Sequence, residues 1–106
     1  MEVILLEFIK ILVLQSSCSG RNIKVLNYIN SALEQINIKD IKIINVDFNG
    51  FKYWDSKHTI IVTPVPIAQK IESQSLVSQG AYLGLISQDE FNKLLKECIE
   101  KIYANV

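Results

Sequence analysis

The sequence is poor in the residues that most often announce a chemistry. One histidine, His58, and two cysteines, Cys18 and Cys98, stand among 106 residues. The cysteines are far apart and in different contexts, so neither a metal cluster nor a Cys-x-x-Cys redox pair is available, and no cofactor or metal is expected. No internal repeat, linker or low-complexity tract appears; there are only two prolines and four glycines. No charge of one sign dominates either. Eleven basic residues balance eleven acidic ones, which removes the electrostatic footprint of a domain that binds nucleic acid directly.

Long apolar runs are missing too. No stretch approaches the ~20 uncharged apolar residues of a membrane-spanning helix. Residues 3–14 are apolar and lead into Leu14-Gln-Ser-Ser-Cys18, superficially like a lipoprotein cleavage site. Yet Glu2 and Glu7 come early, Lys10 interrupts the run, and Gln15 sits where such a site prefers an aliphatic residue. The expectation is a cytoplasmic protein without membrane insertion.

What is present is apolar material in alternating patterns. At 49% apolar, the chain has enough for one core and one small domain, read as residues 10–106 behind an extension at 1–9. Residues 11–14 form a continuous apolar run, typical of a strand buried on both faces. Over residues 21–36, Ile23, Leu26, Ile29, Leu33 and Ile36 recur at helical spacing. Residues 41–46 and 59–63 read as two more strands, the latter stopped by Pro64 and Pro66. Asp47-Phe-Asn-Gly50 is a turn cluster, the backbone of 51–57 stays open, 67–71 has room for a short helix, Leu76 and Val77 for a brief strand, and Gly80 and Gly84 mark a loop. The last helix is the clearest. Ser87 and Glu90 have capping-box spacing, with Phe91, Leu94, Leu95, Cys98 and Ile102 on one face. Cys98 then reads as a small buried hydrophobe.

This order implies an α/β fold: a small three-layer, Rossmann-like parallel sheet in strand order 2-1-3-4, with right-handed crossovers. All strand C-termini then share one edge, where ligands bind. That edge would carry residues 15–22, 47–50, 63–66 and 78–80. His58 precedes the third strand and falls at the other end, some 15 Å away at ~3.3 Å per residue.

The first of these loops has most to offer chemically. An apolar strand stops in Gln15-Ser-Ser-Cys-Ser-Gly-Arg21 just before a helix, where backbone N–H groups and the helix dipole gather anions. Cys18 lies just upstream of that helix and three residues before Arg21, both of which favour thiolate. Ser16, Ser17 and Ser19 offer hydroxyls to a phosphate and Gly20 permits close backbone approach. The two residues between Cys18 and Arg21 are too few for a protein-tyrosine-phosphatase loop. The same residues also make an ordinary solvated loop.

Over residues 10–104 the chain resembles the IIB components of the bacterial sugar phosphotransferase system, galactitol type. The resemblance rests on Lys10-Ile-Leu-Val-Leu14 followed by a small-residue loop and helix, on His58-Thr-Ile-Ile-Val-Thr63, and on Leu76-Val-Ser-Gln-Gly80 with the segment to Leu85 and a closing helix. It implies the phosphotransferase IIB fold and a cysteine that takes phosphate from a IIA protein and hands it to a sugar bound by a IIC protein. When the first strands are matched, Gln15 occupies the family's cysteine position and Cys18 lies three residues beyond. Either Cys18 substitutes through a shifted loop, or the chain is a non-phosphorylated regulatory or self-association module, as in transcription regulators with phosphotransferase-regulated domains. An unrelated small-ligand binding protein on the same fold is the third reading. The expected partners are accordingly IIA and IIC proteins or the chain's own regulator, and a homodimer stays open.

Overall fold

The computed structural model describes residues 9–14, 23–36 and 41–104 of the chain. Lys10–Leu14 forms β1, and its last four side chains are fully buried, as a continuous apolar run demands of a central strand. Helix α1, Ile23–Gln35, leads to β2, Lys42–Val46; a short 3-10 helix, Phe51–Trp54, precedes β3, Thr59–Thr63. Then come β4, Gln74–Val77, the five-residue helix α2, Gln79–Leu83, and the long helix α3, Gln88–Ala104.

The four strands pair in parallel in the order β2-β1-β3-β4. The pleat sends alternate side chains to opposite faces. Ile11, Val13, Ile60, Val62 and Leu76 meet Val25, Ile29 and Leu33 of α1 and Phe91, Leu95, Cys98 and Ile102 of α3. Leu12, Leu14 and Ile61 point the other way, to Val46 and Phe51, with Trp54, Ile67 and Ile71 against them. Both long helices therefore lie on one face, and the connections into β3 and β4 cover the other. The β1–β2 connection runs one way along the sheet on the first face, while the next two run back on the second. Opposite directions on opposite faces are what a single crossover hand requires.

Several local readings need correction. No helix forms over 67–71. The chain bends at Pro64 and Val65 and stays irregular to Ser73, Pro66 disfavours helical backbone at the residue before it, and the N–H groups of Glu72 and Ser73 go to the Asp55 carboxylate. The buried face of α1 is turned from the expected stripe. Val25 and Ala32 are buried, Leu26 is only half-buried, and Ile23 is 66% exposed. On α3, Leu94 is half-buried and Ile99 takes a core place. Gly80 is helical, not in a loop. A Cβ there would come within 2.6 Å of the Ile86 side chain, so the close approach of the chain past α2 needs glycine. Gly84 ends α2 at φ 74°, in the left-handed region that glycine favours.

Of the capping pair expected at 87–90, the Ser87 half is seen: Ser87 Oγ accepts from Glu90 N at 3.1 Å. Ahead of it, α3 is tied to α1 by Tyr28, whose ring stacks on Phe91 at 5.3 Å and whose hydroxyl donates to the Ile86 carbonyl at 2.6 Å. On the second face, Asp55 accepts from Glu72 N, Ser73 N and Ser73 Oγ. This joins the end of the 3-10 helix to the start of β4.

Candidate functional site at the carboxyl edge of the sheet

Because β2 follows β1 on one side and β3 lies on the other, the chain reverses direction at β1. The crevice outside the carboxyl ends of β1 and β3 is then the switch point at which α/β sheets of this kind bind ligands. The N-terminus of α1 faces the same edge, contributing the positive end of its dipole.

A hydrogen-bonding break marks this point. Lys10 N donates to His58 O at 3.1 Å, which sets the phase of the β1–β3 ladder: the backbone groups of residues 10, 12 and 14 are the ones that face β3. The carbonyl of Leu14 would next accept from residue 64, and Pro64 has no N–H. The β1–β3 pairing accordingly ends at Val13 with Val62, although β1–β2 continues to Leu14 with Val46 and β3–β4 to Thr63 with Val77.

Tyr82 from α2 fills the gap. Its hydroxyl lies 2.6 Å from the Leu14 carbonyl oxygen and 2.8 Å from that of Val62. Burial raises its pKa well above the usual phenol range, against a smaller opposing effect of the bond to Leu14. The group is a permanent donor. Beside it, Ile23, Lys24, Tyr82 and Leu83 line a recess of about 320 Å³, and Lys24 Nζ donates to the Leu83 carbonyl at 3.3 Å.

The remaining loops of this edge are locally satisfied. Asp47 Oδ1 accepts from Asn49 N at 3.0 Å and Gly50 N at 2.7 Å, closing the turn after β2. Thr63 Oγ1 donates to Val65 O at 2.8 Å. Ser78 N donates to Thr63 O at 2.9 Å, and Ser78 Oγ accepts from Ala81 N at 3.0 Å as the N-cap of α2.

The expected phosphate loop, Gln15, Ser16, Ser17, Cys18, Ser19, Gly20 and Arg21, lies outside the described residues. Its neighbours fix only where it must start and end: at Leu14, under the Tyr82 hydroxyl, and at Ile23, the first residue of α1. Two other candidates are placed plainly. His58 sits at the opposite edge, its carbonyl bonded to the start of β1. Cys98 is buried against Ser75; burial pushes its thiol up to about 11, although Lys101 pulls it down, with Glu97 adding to the rise. That is an inert thiol at ordinary pH.

Sequence reasoning missed Tyr82 and Lys24. A proline closing a central strand does signal an orphaned carbonyl on its neighbour, but nothing in the sequence says which distant side chain answers it. Among the described residues no helix is long and apolar enough to cross a membrane, and no group of three or more acidic, histidine or cysteine side chains could hold a metal ion. No family model matches the chain, and neither a curated protein nor a solved structure is similar enough to match it, so the geometry of this edge carries the functional argument.

Proposed function

We propose that this chain is a IIB-type phosphocarrier domain of a sugar phosphotransferase system, working in the cytoplasm between a IIA protein and a sugar-binding IIC protein. The observation that carries the reading is the parallel 2-1-3-4 sheet with β1 at its switch point. The segment bearing Cys18 therefore starts at the edge where such folds bind anions, and ends at the N-terminus of α1.

In this reading the Cys18 thiolate attacks phosphorus in a phosphohistidine of the IIA protein. The S–P bond forms as the P–N bond breaks, and the imidazole leaves with a proton. A sugar hydroxyl then attacks the same phosphorus, gives up its proton, and the thiolate departs. Ser16, Ser17, Ser19 and the backbone at Gly20 hydrogen-bond the phosphoryl oxygens, and Arg21 offsets their charge. No metal or organic cofactor is required by this sequence of steps.

Gln15, in the place of the family's cysteine, favours a second reading: a IIB-like module that no longer carries phosphate and serves regulation or self-association within a transcription regulator. The two are separated by turnover. With phosphoenolpyruvate, the general phosphotransferase proteins and cognate IIA and IIC proteins, the phosphocarrier supports sugar phosphorylation and Cys18→Ser abolishes it. Sugar phosphorylation that is absent, or that persists in Cys18→Ser, favours the regulatory module.

A further inference from the structure

We propose that an open recess between α1 and the α2–α3 connection is a binding site for a small hydroxylated anion, one acidic group carried on a polyol of hexose size. The inference uses neither Cys18 nor the segment that bears it, and goes beyond the phosphocarrier reading.

The recess has a volume of about 310 Å³ and is lined by Lys24, Asn27, Tyr28, Ser31, Gly84 and Gln88, which puts it at the small end of ligand sites. Its four α1 residues share one helix stripe. From Lys24 to Ser31 that stripe runs ~10 Å at a rise of ~1.5 Å per residue. The walls are fixed by bonds of their own: Tyr28 stacks on Phe91 and its hydroxyl donates to Ile86 O, while Gln88 Nε2 donates to Tyr28 O at 2.9 Å and to Asn92 Oδ1 at 2.7 Å. The ammonium is placed as well. Lys24 Nζ donates to Leu83 O, and its stem passes so close to Gly84 that a Cβ there would lie 3.0 Å from Lys24 Cδ.

What the lining offers defines the ligand. None of the six residues is acidic, and among the described residues no carboxylate pairs with Lys24, so one end of the stripe carries an unneutralised charge with N–H groups to spare. The side chains of Asn27 and Ser31 have no partner among the described residues; an amide and a hydroxyl both donate and accept, as a ligand hydroxyl does. Gln88 has spent its N–H groups and keeps a carbonyl oxygen that takes a donor. An acidic group at Lys24 with hydroxyls towards Asn27, Ser31 and Gln88 satisfies all four.

The test titrates the isotope-labelled full chain with gluconate, glucose-6-phosphate, glucose and inorganic phosphate at equal ionic strength, following amide NMR shifts. The spectrum of each variant also shows that it is folded. We expect gluconate, glucose-6-phosphate or both to shift the amides of Asn27, Ser31, Gly84 and Gln88 saturably at millimolar concentration, the tighter of the two identifying the acidic group as carboxylate or phosphate. Glucose and inorganic phosphate, each with part of the recognised chemistry, should bind about tenfold more weakly or less. Lys24→Gln should weaken the favoured anion by about tenfold or more, and the double variant Asn27→Ala, Ser31→Ala should weaken it without changing inorganic phosphate. Lys96→Gln, at an exposed position of α3, should change nothing. No saturable shift with either hydroxylated anion, undiminished binding in Lys24→Gln or in the double variant, or inorganic phosphate binding as tightly as they do, overturns the proposal. Phosphorylation of Cys18 is a separate result that neither outcome moves.

Discussion

The hydroxyl of Tyr82 lies 2.6 Å from the carbonyl oxygen of Leu14, the group that Pro64 leaves without a ladder donor. Tyr82→Phe should therefore cost more than a surface change, about 1–3 kcal/mol, because it strands a buried acceptor. Pro64→Ala in that background should recover part of the loss. Urea unfolding of the two single variants and the double variant reads the coupling; strict additivity would mean that the residues do not serve the same carbonyl.

The core faces give a second expectation. Ile29 and Leu95 are fully buried on the sheet side of α1 and α3, so either changed to Ala should lose about 2–5 kcal/mol. Ile23→Ala, at a 66% exposed position, should stay within about half a kcal/mol. Leu94→Ala should fall between. Denaturant midpoints rank these directly, and a loss at Ile23 as large as that at Leu95 would mean that the helix phase is wrong.

The strands were legible because their apolar runs had no competing signal: 11–14 and 59–63 are apolar throughout or nearly so, and turn formers or prolines bound the end of the latter. A parallel sheet followed from the alternation of strand and helix signals; the order 2-1-3-4 was expected with it and is the order found, and a single crossover hand then sets which face each connection takes. Helix phase was less legible. In α1 both Leu26 and Val25 are apolar, and only packing against the sheet and α3 decides which goes inside. The irregular chain at 64–73 was illegible for another reason, since the carboxylate that captures its N–H groups belongs to Asp55, 17 and 18 residues earlier. Of the candidate edge, the turn at 47–50 and the end of β3 were visible in the sequence, whereas Tyr82 came from a helix that two glycines had disguised as a loop.

Asp55 predicts a pH dependence. Burial alone would raise its pKa, but the hydrogen bond from Ser73 Oγ and the N–H groups of Glu72 and Ser73 outweigh it, with help from Lys52, and hold the carboxyl below its ordinary 3.8. The folded state thus favours the carboxylate. That stability is complete above the unfolded value and disappears as pH falls through the lower, folded one. Asp55→Asn should be less stable than wild type at neutral pH, with the gap closing below about 3.8 in unfolding curves taken across pH. A gap that does not change with pH would mean that the latch does not depend on charge.

Cys98 predicts the opposite limb. Its thiol is held at about 11 against an ordinary 9.0, chiefly by burial. The folded chain keeps a proton that the unfolded chain releases, so this contribution is full below pH 9 and is lost as pH rises towards 11. Native protein at pH 8 should leave Cys98 unalkylated until denaturant is added. Prompt labelling of the native protein at Cys98 would show that the site is open.

The most direct test of the account is the chemical state of Cys18 after incubation with phosphoenolpyruvate, the general phosphotransferase proteins and a cognate IIA protein. Peptide mass spectrometry should find one phosphoryl group on Cys18, stable to acid and blocking alkylation, and none on Cys98. A Cys18 that stays unmodified with every cognate donor, while Gln15→Cys creates a site that accepts phosphate, would contradict the account and leave the non-phosphorylated regulatory module in its place.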